Sequence, residues 1–190
     1  MKKQALIVAL LAASGFASTS VFAADGTIDV TGAIQGMTCT ISGGPGTTPG
    51  AGSDFGVELL TVHTSSLAAA GEVAAAKLFN IQLGTDGTAP CPVGTRAQVL
   101  YEVTSPLINP LTGNLRNAAA TDPATNVEIQ ILDGSNGNTP MNLASGDLSA
   151  EVTTAGPATL LPFAAQYIAT GGAATVGNVE TSVQYSVKFN

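Results

Sequence analysis

The closing stretch GNVETSVQYSVKFN, residues 177–190, alternates without a break. Its odd positions, Val179, Thr181, Val183, Tyr185, Val187 and Phe189, make one largely apolar face. The residues between them, Asn178, Glu180, Ser182, Gln184, Ser186 and Lys188, are all polar. Side chains of a strand point to opposite faces in turn, so the pattern predicts a half-buried β-strand. Only Asn190 follows it, so no later segment is expected to pair with the strand. An unpaired apolar edge is a liability that soluble proteins normally blunt. What covers this one has to be sought elsewhere in the sequence.

The other end indicates where the chain works. MKKQALIVALLAASGFASTSVFA, residues 1–23, has two lysines, then an apolar run, then a polar stretch closing on small residues at Val21 and Ala23. This is the layout of a secretory signal peptide, with cleavage expected between Ala23 and Ala24. The apolar run is far short of the ~20 residues a spanning helix needs, so membrane insertion of the mature chain is not expected. Removing 23 of 190 residues leaves 167, enough for one domain. Lys2 and Lys3 leave with the signal, so four basic residues face 13 acidic ones, a net charge near −9. That balance argues against nucleic acid as a partner and against anionic membrane surfaces. With 45% apolar residues the chain is not disordered as a whole.

Two cysteines, Cys39 and Cys91, stand 52 positions apart. In an oxidising compartment an even pair most simply closes one disulfide, the alternative being two buried thiols. Two cysteines and one histidine cannot make a four-ligand zinc site.

Short strands separated by Gly, Pro, Asn and Asp breaks fill the rest. They are expected at residues 27–34, 37–42, 57–63, 77–83 and 97–104, near Leu115, and at 126–132, 141–143 and 158–169. Residues 43–56, GGPGTTPGAGSDFG, look too rich in Gly and Pro for any regular element. One or two helical turns are expected after residue 64, capped by Ser65 or Ser66. Turn chemistry follows residue 132, with Asp133-Gly134 and Asn136-Gly137. So many strands with hardly any helix indicate an all-β sandwich.

Nothing in the pattern suggests catalysis or a cofactor. His63 is the only histidine and has no cysteine nucleophile nearby, and no phosphate loop or nucleophile elbow occurs. Residues 133–144 loosely match a calcium loop, but their twelfth position is Ala144 where a bidentate Glu is needed. The reading is therefore of a non-enzyme without metal or cofactor.

The chain resembles the subunits of bacterial fimbriae assembled by the chaperone–usher pathway, specifically type 1 fimbrial major pilins. The resemblance rests on GTIDVTGAIQGMTC (26–39), FNIQL (79–83), NVEIQILD (126–133), LPFAAQYIATG (161–171) and the terminal strand. Gly177 stands fourteenth from the end, and an aromatic residue, Phe189, is penultimate where the family usually has Tyr. GTDGTAP, residues 84–90, is an insertion that lengthens the approach to Cys91. The resemblance implies an incomplete immunoglobulin-like β-sandwich lacking its last strand, with an N-terminal donor-strand extension at residues 24–34 and the pilin domain at 35–190.

It also implies the answer to the bare edge, since strand addition is an established recognition mode. A periplasmic chaperone would lend a strand to the groove beside Gly177, Val179, Thr181, Val183, Tyr185, Val187 and Phe189, gripping the carboxylate of Asn190. At the outer-membrane usher, the extension of the next identical or related subunit would replace that strand. Ala24, Gly26, Ile28, Val30 and Gly32 would face the groove, Gly26 where a side chain would meet the pocket floor. The expected destination is a fimbria on the cell surface, reached through the periplasm. A minor adaptor would look nearly the same, while a two-domain tip adhesin needs a lectin domain for which 167 residues leave no room.

Overall fold

The computed structural model describes residues 39–84 and 91–190, all within a single compact unit. Eleven strands follow one another along the chain. β1 is Ile41–Gly43, β2 Thr48–Pro49, β3 Phe55–Gly56 and β4 Val73–Leu83. β5 spans Arg96–Tyr101, β6 Leu115–Arg116, β7 Val127–Asp133 and β8 Thr139–Pro140. β9 is Val152–Thr153, β10 Thr159–Ala169 and β11 Tyr185–Phe189. Single 3-10 turns at Thr64–Leu67 and Gly134–Asn136 are the only helical pieces among the described residues. The architecture is all-β, as expected.

One sheet runs β1-β4-β10-β7-β6, with β8 added to β7; the other runs β11-β5-β9. Every pairing in them is antiparallel. The inward positions of β4, β5 and β10 close over one core in which Phe163, Ile81, Leu83, Leu161 and Val99 are almost fully buried. Phe163 lies between Phe79, stacked at 5.7 Å, and the edge of Tyr101 at 5.8 Å. Such ring pairs add to the ~1.5–3 kcal/mol that burying each large apolar side chain contributes.

Several strands depart from expectation for identifiable reasons. β4 begins at Val73, four residues early, because a bulge carries it past an irregularity: Ala74 pairs with Tyr167 but Lys77 with Ala165, and Ala75 takes φ 54°. The glycine-rich stretch 43–56 is not structureless. β2 and β3 form a hairpin that lies against β4, with Gly44 N donating to Asn80 O at 2.8 Å and Asn80 Nδ2 to Pro45 O at 3.0 Å. The 3-10 turn starts from His63, which makes no side-chain cap bond, and not from a serine cap. β8 falls two residues ahead of its expected place, and β9 carries no alternation by which a sequence could reveal it.

β7 is buried on both faces, although its alternation predicts only Val127, Ile129 and Ile131 inside. A loop crosses the outer face and supplies donors to Glu128: Asn109 Nδ2 at 2.6 Å, Thr112 Oγ1 at 2.7 Å and Asn114 Nδ2 at 3.1 Å. A buried carboxylate is tolerated when its oxygens are filled in this way. Cys39 and Cys91 are joined, with Cα atoms 4.8 Å apart. Cys39 stands just ahead of β1 and Cys91 on the approach to β5, so the bond ties one sheet to the other.

Candidate functional site: an open cleft along the terminal strand

The alternation read from residues 177–190 is realised in burial. Val179, Thr181, Val183, Tyr185, Val187 and Phe189 are half-buried while Asn178 and every even residue through Asn190 are exposed. Among the described residues only Tyr185–Phe189 forms a ladder, against β5, and β11 stands at the edge of its sheet. Ahead of it, Glu180 and Gln184 stay tethered by isolated hydrogen bonds. Glu102 N donates to Gln184 O at 2.9 Å, Gln184 N to Ser105 Oγ at 3.0 Å and Ala118 N to Glu180 O at 2.7 Å. In an extended chain the odd residues then turn their N–H and C=O groups the other way. Among the described residues, nothing bonds the backbone of Val179, Thr181 or Val183.

Across from this rim lie residues 57–62, where the sequence predicts a strand; they form none and have no backbone partner among the described residues. Between the two rims is a cleft of about 940 Å³. Its floor is core: Phe79, Tyr101, Leu115, Ile129, Ile131 and Tyr167. Beyond Val179 it continues as a second hollow of about 490 Å³, flanked by residues 61–64 and 174–179. Two hydroxyls that line the cleft, Tyr101 Oη and Thr181 Oγ1, are buried with no partner among the described residues. Orphaned polar groups cost about 1–3 kcal/mol apiece. Burial pushes the Tyr101 phenol far above its ordinary pKa, with Asp133 and then Tyr185 adding to the effect.

The two ends of the cleft differ. At one, Gly177 lies flat on the backbone of a loop: a Cβ there would sit 2.4 Å from Ala124 N and 2.6 Å from Asp122 O. Asn178 N donates to Asp122 O at 2.7 Å, and Asn117 Nδ2 to the carbonyls of Ala124 and Asn178, both at 2.8 Å. Glycine is thus required here for close approach. Gly177→Ala should destabilise the protein by about 2–3 kcal/mol, since backbone has to move. A denaturant midpoint equal to that of the natural chain would remove this explanation of the glycine. At the other end, Tyr185 Oη donates to Ser53 O at 2.7 Å and its ring packs on Phe55 at 5.6 Å. Burial, and then Asp54, raise the Tyr185 pKa above its ordinary value, so the phenol stays a donor.

Gly177, Val179, Thr181, Val183 and Tyr185 therefore share one rim of the cleft and its continuation. Val187 and Phe189 pack on the same core past the Tyr185 end, and Asn190 pairs with Arg96 through both backbone groups, at 2.9 and 3.3 Å. Ala23, Ala24, Gly26, Ile28, Val30 and Gly32 lie outside the described residues, as do residues 85–90 of the insertion. Sequence reasoning missed the Ser53–Phe55 end of the opposite rim. Its only signal is the apolar Phe55 set in a polar, glycine-rich run.

No group of three or more His, Cys, Asp or Glu among the described residues is placed to hold a metal ion. No helix among them is long and apolar enough to cross a membrane. Among the described residues the cleft has unpaired backbone on both sides and an apolar floor beneath. A profile of the family described as Fimbrial protein matches residues 28–190. The chain belongs to the fimbrial protein family. It is a structural subunit exported to the cell surface, and not an enzyme.

This fimbrial subunit is 38% identical over 187 residues to the major fimbrial subunit SMF-1 of Stenotrophomonas maltophilia (strain K279a), covering 95% of this chain and 100% of that one. It is 30% identical to the type-1 fimbrial protein, A chain, of Escherichia coli (strain K12), with both chains covered in full. Its fold is similar to that of a subunit in a solved chaperone–usher pilus, with a TM-score of 0.56 at 16% identity, over 91% of this chain and 100% of that one. The immunoglobulin-like sandwich with an unclosed edge is thus the fold the resemblance implied.

Proposed function

We propose that this fimbrial subunit polymerises by strand donation, residues 24–34 of one copy filling the cleft of the next. The observation that carries the reading is the pair of facing rims, each without backbone partners among the described residues, above a floor of core side chains. A strand laid between them supplies main-chain partners to Val179, Thr181 and Val183 and covers the apolar floor in one step. Ile28 and Val30 of the donor, set two apart, suit successive pockets along that floor, and Gly26 suits a shallow one. Before assembly a periplasmic chaperone strand occupies the same cleft, holding the Asn190 carboxylate, and the outer-membrane usher is where the exchange occurs. Similarity to subunits named as major ones favours the repeating component of an adhesive surface fibre over a single-copy adaptor or tip subunit.

Cross-linking tests the pairing directly. Thr181→Cys combined in turn with Gly26→Cys, Ile28→Cys or Val30→Cys should give, for at least one pair, a ladder of covalent multimers from extracted fibres under oxidising conditions. Monomers from all three would exclude the donor assignment. Antibody against the chain should decorate fibres along their whole length; one label per fibre would make it an adaptor.

A further inference from the structure

We propose that the hairpin of β2 and β3 is a latch across the acceptor cleft, closed by Tyr185 and opened by the incoming strand. The inference rests on the strand-donation reading and adds to it a conformational step.

The free edge of the terminal strand is longer than the cleft. Among the described residues β11 has β5 on one side and no ladder on the other, so the edge runs on through Val187 and Phe189. The open cleft, by contrast, reaches only to Tyr185. It stops where the Tyr185 phenol spans from one rim to Ser53 O on the other, with the Phe55 ring alongside. A strand seated between two rims needs about 4.8 Å to the backbone on each side. A side chain bridging the rims by one direct hydrogen bond occupies the space that strand must use. A donor that stops short of Tyr185 fits the cleft as it stands, and one that completes the whole edge has to break the bridge.

The hairpin is held firmly at its root and more lightly at its tip. Its root is fixed to β4 through Gly44 and Asn80, and Gly46 lies so close to β4 that a Cβ would meet Leu78 O. Beyond the root, it has a two-residue ladder, the Phe55 ring against Phe79 at 6.1 Å and one hydrogen bond to β11, from a side chain. The latch keeps part of the core covered while the subunit waits for a donor.

The test uses the mature chain with 3-fluorotyrosine at its three tyrosines, the Tyr185 resonance being assigned with Tyr185→Phe. Probes are synthetic peptides of residues 24–34, 24–30 and 28–34. The full peptide is expected to shift the Tyr185 resonance on binding, whereas one of the two short peptides, the one that ends before Tyr185, binds and leaves it in place. Tyr185→Phe should speed association of the full peptide about two- to tenfold, the worth of one hydrogen bond, and leave the short peptide's rate unchanged. Ser53→Ala retains the carbonyl and should change neither rate. Bound full peptide with an unmoved Tyr185 resonance, or equal rates in Tyr185→Phe, would overturn the latch while leaving strand donation standing. Failure of every peptide to bind would remove strand donation and the latch together.

Discussion

Deleting residues 24–32 is expected to abolish fibres while leaving a subunit that folds and is held by its chaperone. The proposed roles divide cleanly along the chain. The deleted residues serve another molecule's cleft, whereas the core around Phe163, Ile81 and Leu161 is assembled within residues 39–190. The joint loses everything at once: two apolar anchors, Ile28 and Val30, worth about 1.5–3 kcal/mol each, and a row of main-chain bonds worth about 0.5–1.5 kcal/mol each. At 1.4 kcal/mol per factor of ten, the two anchors alone correspond to an association constant more than about 100-fold weaker. The measurement is electron microscopy of cells together with the yield of chaperone-bound subunit from the periplasm. Normal fibres from the deleted chain would place the donor elsewhere. Gly26→Leu offers a milder second variant, which keeps the extension's length and should slow assembly without lowering that yield.

The terminal strand shows what alternation can and cannot encode. Residues 179–190 follow the predicted in-and-out order at every position, because the pattern records which face meets apolar surroundings. Pairing is a different property. The sequence predicts strands at residues 57–62 and 179–183, yet among the described residues neither segment has a ladder and no strand lies between them. It thus predicts strands in these segments, where the structure forms none, and is silent on their being the two rims of one gap. What joined them was the resemblance to a family.

The misreadings are of a different kind. Residues 43–56 look structureless because their glycines suggest freedom, whereas several are demanded by contact. Gly46 approaches Leu78 O, and Gly50 lies against the backbone of Asp54. Close packing onto β4 thus selects the same residue that a loose loop would. The alternation of β7 places Val127, Ile129 and Ile131 inside and leaves Glu128 on the opposite face. Three neutral donors from a distant loop cover that face, and no local pattern announces them. Both departures arise where tertiary contact overrides local composition, and the first lies at the closed end of the cleft, in the proposed latch.

Removing the disulfide should lower stability by about 4 kcal/mol, the chain-entropy value for a 52-residue loop. For a domain of this size that is a fall in melting temperature of about 10 °C. Among the described residues no strand ties the two sheets together along the open cleft, which adds to the importance of the bond. Cys91 is buried in the core cluster and Cys39 packs against it, so their replacement also disturbs packing. Two treatments separate the effects. Reductant on the natural chain frees the loop with the sulfurs still in place, while Cys39→Ala with Cys91→Ala frees it and empties the site. Nearly equal losses would assign the stability to the closed loop, and a much larger loss in the double variant would assign it to packing. Filling the cleft with the 24–34 peptide should then recover part of the melting temperature in either form, since the added strand restrains the same two sheets by another route. Should reduction leave the melting temperature unchanged, the bond contributes nothing to folding and the sheets are held by their core alone.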